Sequence, residues 1–294
     1  AGQHQRDRQR DDRARAQAKF PFLAANSRRL DGGRAFPASV MVERGGVRVA
    51  IIGVTNPGAE VWDRDHLADR LTISDIVSAL PTQVAELRRQ GADVVVVVAH
   101  AGLSEEASYD TVTTGRPSEN PMARVAREVP GIDLIVYGHS HREVADSVIN
   151  GVLLMQPRNW ATSVAVATLS LRRATAADGA GAKWRIERKS GAIVPVAGHA
   201  ESKAIVAAVE RAHRGAVRYA TAVVGRTDAT WRTDSARLRD VPLIDLIQQV
   251  QLRATGADLS VASAFTLDAV LPPGPITVAQ IAQLYPYDNT LRAL

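Results

Sequence analysis

Three of the seven histidines in this chain stand where apolar runs end. Val94–Ala99 reads VVVVVA and is followed by His100-Ala101-Gly102. Asp133–Tyr137 reads DLIVY and is followed by Gly138-His139-Ser140-His141. Neutral imidazole is the commonest protein ligand for zinc and related ions, so three imidazoles at two run ends point to a metal site. One histidine placed this way is more simply a loop residue capping a core strand; three so placed favour a site. Gly138 lets the backbone turn sharply off its strand. Histidines two apart in an extended segment project to one side, and a bend makes them diverge, so His139 and His141 suit one ion or two adjacent ions. Two ions about 3.5–4 Å apart can clamp an attacking hydroxide and the oxygens of a phosphoryl group. Such a site also needs a bridging carboxylate, and the sequence offers no convincing one at another strand end.

The elements that must position these histidines alternate. An unbroken β-branched run suits a strand buried on both faces, hence a parallel sheet, and ligands of open α/β sheets sit at the carboxyl ends of such strands. Phe20–Ala24 and Val47–Val54 read as earlier strands, with Thr55-Asn56-Pro57-Gly58 as a turn. Ser74-Asp75 caps a helix running to about Gln90 and stopped by Gly91, with Pro81 expected to separate or kink its first turns. A polar loop over 104–119 leads to a helix near Pro121–Glu128. Beyond His141, Ser147–Ile149 and Val152–Gln156 flank Asn150-Gly151, a favoured hairpin turn. Ser163–Leu171 and Trp184–Arg188 read as further strands around a flexible loop at Ala174–Ala182. Ala200–Tyr219 reads as a connecting helix. A second unit follows, with a helix at Pro242–Ala254, a strand at Asp258–Ala264, a turn at Pro272–Pro275, a helix at Val278–Leu284 and a strand starting at Thr290.

Bulk properties narrow the partners. The chain has 294 residues, is 46% hydrophobic and 23% charged, and so has material for one large or two ordinary domains. Only 4% of residues are aromatic, which speaks against a stacking surface for a nucleic-acid polymer. The net charge of +5 and pI of about 9.9 suit an anionic small molecule. Without cysteine, any metal has only nitrogen and oxygen ligands. No run is apolar enough to span a membrane, and no signal peptide opens the chain. Residues 1–18 mix arginine and aspartate without period, as a solvated segment does; residues 5–16 also fit a frame error or misassigned start, in which case they are not native sequence. His66, His199 and His213 read as structural or solvated, and Asp63 with Asp65 as weak cation ligands.

The phrases VVVVVAHAG, VPGIDLIVYGHSH, PLIDLIQQVQLRATGADLS and ITVAQIAQLYPYDNTL resemble the 5′-nucleotidase family of calcineurin-like metallophosphoesterases. The C-terminal phrases look most like its 2′,3′-cyclic-nucleotide 2′-phosphodiesterase/3′-nucleotidase branch. The resemblance runs from about Lys19 to Leu294. It implies an α/β fold: a layered metallophosphoesterase-like sheet domain over 19–190 that lacks its N-terminal part, a linker with a helix over 191–222, and the start of a truncated α+β nucleotidase C-terminal domain over 223–294. It implies two divalent ions such as zinc or manganese in the intact site, with His100 and His139 on one and His141 on the other, and one ion or none in this chain. The family's Asp-x-His and bridging-Asp motifs are expected upstream of this sequence. Its Gly-Asn-His-Glu motif is expected near Gly2-Gln3-His4-Gln5-Arg6-Asp7, where Gln3 replaces the asparagine ligand and Gln5 the glutamate. On that match His4 would stabilise the transferring phosphoryl group or protonate the leaving oxygen, with Asp7 orienting it; the alternative is chance similarity in a biased segment. A tryptophan-containing loop at Asn159-Trp160 also fits the family, with packing as its task.

The implied function is metal-dependent hydrolysis of nucleotide phosphate esters in nucleotide catabolism, of the 2′,3′-cyclic phosphodiesterase/3′-nucleotidase type or of the 5′-nucleotidase/UDP-sugar hydrolase type. The implied location is the periplasm, the cell wall or the medium. The other reading is an inactive remnant whose three histidines bind one zinc at most. A zinc amidohydrolase would place its His-x-His early in a barrel, which the late Gly-His-Ser-His and the following hairpin argue against.

Overall fold

A computed structural model describes residues 13–175, 183–264, 266–285 and 291. The chain divides into two compact units, Ala1–His199 and Ala200–Leu294. The first contains β1 (Ser27–Arg29), β2 (Ser39–Arg44), β3 (Val47–Thr55), α1 (Ala59–Trp62), α2 (Arg64–Leu67), β4 (Leu71–Ile73), α3 (Ile76–Arg89), β5 (Val94–His100), α4 (Thr111–Thr114), α5 (Met122–Glu128), β6 (Leu134–Tyr137), β7 (Val144–Ile149), β8 (Val152–Gln156), β9 (Ser163–Arg173) and β10 (Trp184–Pro195).

Its centre is a six-stranded sheet in the order β2-β3-β5-β6-β8-β7. The inner four strands are parallel, and β2 and β7 pair antiparallel at the edges. Period-two alternation sorts the side chains between two faces. Ala50, Ile52 and Val54 of β3, Val95, Val97 and Ala99 of β5, and Ile135 and Tyr137 of β6 join one core with α3 and α5. Leu134, Leu153 and Met155 join the other, against Ala165, Ala167 and Ile193 of the β9–β10 hairpin. Val94, Val95 and Val97 are buried and Val96 partly so, and burial fails at the end of β5, where Val98 is 46% exposed beside the exposed His100.

Two carboxylates at the amino ends of the parallel strands fasten these layers. Asp93 accepts the backbone N–H groups of Arg48 (2.9 Å), Lys183 (3.1 Å) and Trp184 (3.2 Å), joining β3 and β10 to the start of β5. Asp133 accepts Val95 N–H at 2.8 Å and Arg88 Nη2 at 2.5 Å, and lies 3.7 Å from Lys189 Nζ. Burial pulls the Lys189 ammonium below its ordinary pKa, and the Asp133 charge opposes that fall.

Several sequence expectations need correction. Pro81 does not break α3, which is continuous from Ile76 to Arg89. An interior proline costs about 3 kcal/mol. The stripe Ile76, Val77, Leu80, Val84 and Leu87 is buried, at roughly 1.5–3 kcal/mol for each larger side chain, and Asp75 caps the helix by accepting Ser78 N–H at 3.0 Å. Phe20–Ala24 is not a strand: Pro21 has no N–H to give a ladder, and this stretch and Ala25 are held by single bonds from Ala24 to Pro37 and from Ala25 to Gly53. The polar loop over 104–119 holds the short helix α4, capped by Asp110. The hairpin at Asn150-Gly151 forms as expected, with both residues left-handed.

In the second unit, α6 (Lys203–Ala220) precedes β11 (Val223–Thr227), β12 (Trp231–Arg232), α7 (Pro242–Thr255), β13 (Val270–Leu271), β14 (Gly274–Thr277) and α8 (Val278–Leu284). Strands β11 and β14 pair antiparallel, as do β12 and β13, around a small core of Leu243, Ala269, Leu271, Ile276 and Leu284. The stretch 258–264 is not a strand; Leu259 and Val261 are 86% and 92% exposed, so its apolar residues have no layer to pair with. The turn expected at Pro272–Pro275 is shorter, because Gly274 and Pro275 already pair in β14. Thr290 and the loop residues 176–182 lie outside the described residues.

Replacing Asp133 with alanine strands the Val95 N–H and removes the carboxylate from Arg88, which keeps its bonds to the carbonyls of Gly131, Ala92 and Asp93, and is expected to cost about 2 kcal/mol. Urea unfolding of Asp133→Ala against the unaltered chain measures this, and equal midpoints would contradict it.

Candidate metal centre

The parallel register brings the two histidine-bearing segments together. Thr55 pairs with His100 across β3–β5, and Ala99 pairs with Tyr137 across β5–β6. One residue further on each strand, His100 and Gly138 stand side by side, and the chain turns. His139 and His141 are left-handed, with φ of 70° and 53°. Non-glycine residues pay a steric penalty there. The turn is fastened by Ser140, whose N–H donates to Gly138 O at 2.8 Å and whose hydroxyl donates to the buried Gln156 Oε1 at 2.8 Å. Trp160 and Ala161, in the loop after β8, are also left-handed. So four of the six described non-glycine residues with positive φ lie in the Gly138–His141 turn and the loop opposite it. Such clustering of backbone strain accompanies functional sites.

His100 and His139 meet edge to face, ring centroids 5.2 Å apart and planes at 64°. Two imidazoles on one tetrahedral ion, with Zn–N bonds of about 2.0–2.1 Å, bring their centroids to about 5 Å. His141 meets Trp160 edge-on at 6.3 Å. Among the described residues no group of three or more His, Asp or Glu is close enough to hold a metal ion. The structure therefore brings His100 ring to ring with His139, while His141 stays within electrostatic reach of both. Gln3, His4 and Asp7 lie outside the described residues.

The electrostatics favour neutral imidazoles. His100 has an open edge, yet crowding by the loops around it lowers its pKa, and His141 adds to the fall. Burial lowers the pKa of His139 as well; His100 and His141 push it down, while the Glu119 carboxylate draws it up. Neutral imidazole is the metal-binding form.

Buried acceptors lie in the neighbouring loops. Asn56 donates its N–H and its side-chain amide to His100 O, each at 3.0 Å, which leaves Asn56 Oδ1 buried with no hydrogen-bond partner. Glu119 is 1% exposed; one oxygen accepts Ser108 N–H at 2.7 Å and Oε2 is without a hydrogen bond. Asn120 Oδ1 is also unmatched. Buried acceptors of this kind call for an ion, a water or an imidazole N–H, so the donor set suits a divalent cation. Asn56 and Glu119 gave no sign in the sequence beyond turn or loop composition, and Gln156 none beyond its place at the end of a hairpin strand. His66 lies on the short helix α2, and His199 and His213 are exposed, as expected.

Residues 223–294 match the 5′-nucleotidase C-terminal domain family. The 2′,3′-cyclic-nucleotide 2′-phosphodiesterase/3′-nucleotidase of Salmonella typhimurium is 24% identical over 95% of this chain and 49% of its own length. The calcineurin-like phosphoesterase structure from Bacillus subtilis superimposes with a TM-score of 0.59 at 24% identity, covering 69% of this chain and 64% of that one. The 5′-nucleotidase precursor structure from Thermus thermophilus does so with a TM-score of 0.63 at 22% identity, covering 92% and 53%. The chain spans about half or less of the length of the curated relatives it matches first. The chain thus joins a calcineurin-like phosphoesterase fold to sequence of the 5′-nucleotidase C-terminal domain.

Proposed function

We propose that this chain is part of a metal-dependent hydrolase of nucleotide phosphate esters, of the 2′,3′-cyclic-nucleotide phosphodiesterase/3′-nucleotidase type. The observation that carries the reading is the approach of His100 and His139 at adjacent carboxyl ends of a parallel sheet. His100 and His139 would hold one divalent ion, and His141 a second. An ion bound there supplies Lewis-acid polarisation of a phosphoryl oxygen. The residues of the chain do the rest: Asn56 fixes the end of β5, Ser140 and Gln156 fix the turn, and low imidazole pKa values keep both nitrogen donors free. If the Gly2–Asp7 match holds, His4 assists the leaving oxygen and Asp7 orients it. Nucleotide preference follows the relatives, with the 5′-nucleotidase/UDP-sugar hydrolase type as the alternative, and export from the cytoplasm goes with that assignment. The ring contact joins only His100 and His139, with His141 meeting Trp160 instead, and this favours a second reading, a site that takes up one ion and lacks turnover.

Metal content after dialysis, together with hydrolysis of 2′,3′-cyclic AMP and 3′-AMP, separates these readings. Two ions per chain with turnover support the enzyme, and one ion without turnover supports the inactive site. In a full-length parent, His139→Ala and His141→Ala are each expected to abolish hydrolysis, and a wild-type rate in either would remove that histidine from the site.

Because the pKa values of His100 and His139 lie below the ordinary 6.5, protons compete for their nitrogens only at lower pH. Zinc affinity should therefore begin to fall at a lower pH than at a site of ordinary imidazoles. Calorimetric titrations at a series of pH values would show an earlier fall if the imidazoles were unperturbed.

A further inference from the structure

His139 projects from a left-handed backbone position beyond the end of its strand, so no regular element fixes the direction of its ring. Beside His100, one aromatic contact from another part of the chain reaches it, and two further contacts brace that one. Trp62 ends α1, just past the carboxyl end of β3, and its indole lies over the His139 imidazole with centroids 5.4 Å apart and planes at 29°. Tyr109, in the loop after β5, meets that indole edge-on at 5.8 Å and 72°. The Tyr109 hydroxyl donates to Pro117 O, and burial pushes its pKa up to about 12, so it stays a donor.

Gly58 shows how closely this bracket is fitted. A Cβ there would stand 2.5 Å from Trp62 Cη2 and 2.8 Å from Tyr109 Cε1. The same two loops are joined a second time through Glu60, which accepts Ile73 N–H at 2.8 Å and pairs with Arg116 Nη1 at 2.5 Å. Trp62 is nevertheless 46% exposed, so core packing does not account for it.

We infer that Trp62 is a positioning residue: braced by Tyr109 and admitted by Gly58, its indole stacks on His139 and holds that imidazole in the orientation that presents one nitrogen to an ion. The inference rests on His139 being a metal ligand. Groups that orient a metal-binding histidine commonly change affinity 10–100-fold. A flat ring is what the contact requires, so phenylalanine should serve in place of tryptophan and leucine should not.

The test uses the whole 294-residue chain, as wild type and as Trp62→Leu, Trp62→Phe and Gly58→Ala. In the metal-free state, NMR of the imidazole carbon-bound protons reads the stack directly. The His139 signals, assigned with His139→Gln, should be displaced by the indole ring current in the wild type and lose that displacement in Trp62→Leu. Calorimetric titration with zinc should show about tenfold weaker binding in Trp62→Leu, recovery in Trp62→Phe, and weakening in Gly58→Ala, where the indole is pushed aside. Zinc affinity in Trp62→Leu equal to wild type would overturn the inference, and so would His139 signals that do not move. Zinc binding absent from the wild type, with the ring-current displacement intact, would instead overturn the metal reading of the site and leave the stack established.

Discussion

The register of three parallel strands is the constraint on which the rest depends. Slipping β5 or β6 by one residue would exchange their faces and carry His100 and the Gly138–His141 turn apart. The register is held at the opposite end of the sheet, where Asp93 and Asp133 gather the amino ends of β5 and β6 to β3, α3 and β10. Placement at the carboxyl ends is therefore decided by carboxylates a whole strand length away. Those two aspartates also gather the second layer, since Lys183, Trp184 and Lys189 all belong to the hairpin segment or its entry.

At the carboxyl ends the loops are joined mostly to each other. Asn56 ties the β3 loop to His100, Glu60 and Trp62 tie it to the β5 loop, and Ser140 ties the β6 turn to the end of β8. Each connection is local, yet together they make one continuous rim around the histidines. Two acceptors of the β5 loop, Glu119 Oε2 and Asn120 Oδ1, stay buried there without a hydrogen bond. Unmatched polar groups of this kind are costly in a low-dielectric surrounding, so the loop carries a polar demand that the backbone does not meet.

Much of this was legible in the sequence. The VVVVVAH run and the Gly-His-Ser-His turn announce their strand ends, because β-branched runs and glycine punctuation are local signals. The Asn-Gly hairpin is local in the same way. Pro81 misled because its cost is local and the burial of the α3 stripe that outweighs it is not. Phe20–Ala24 and Asp258–Ala264 misled in the other direction, since apolar content without a partner strand makes no ladder. The Trp62 bracket and the Asn56 clamp were invisible, as each depends on residues tens of positions apart meeting across the rim. The meeting of His141 with Trp160 was equally hidden, because spacing alone does not say which way a bent Gly-His-Ser-His segment sends its second imidazole.

The left-handed backbone at His139 and His141 has a consequence for stability as well as for shape. Glycine at either position would relieve steric strain, and asparagine would be tolerated better than most residues. Two imidazoles one residue apart therefore sit in this turn at a cost to folding, and a chain with glycine at either position would gain stability while giving up a ring at the carboxyl end of β6.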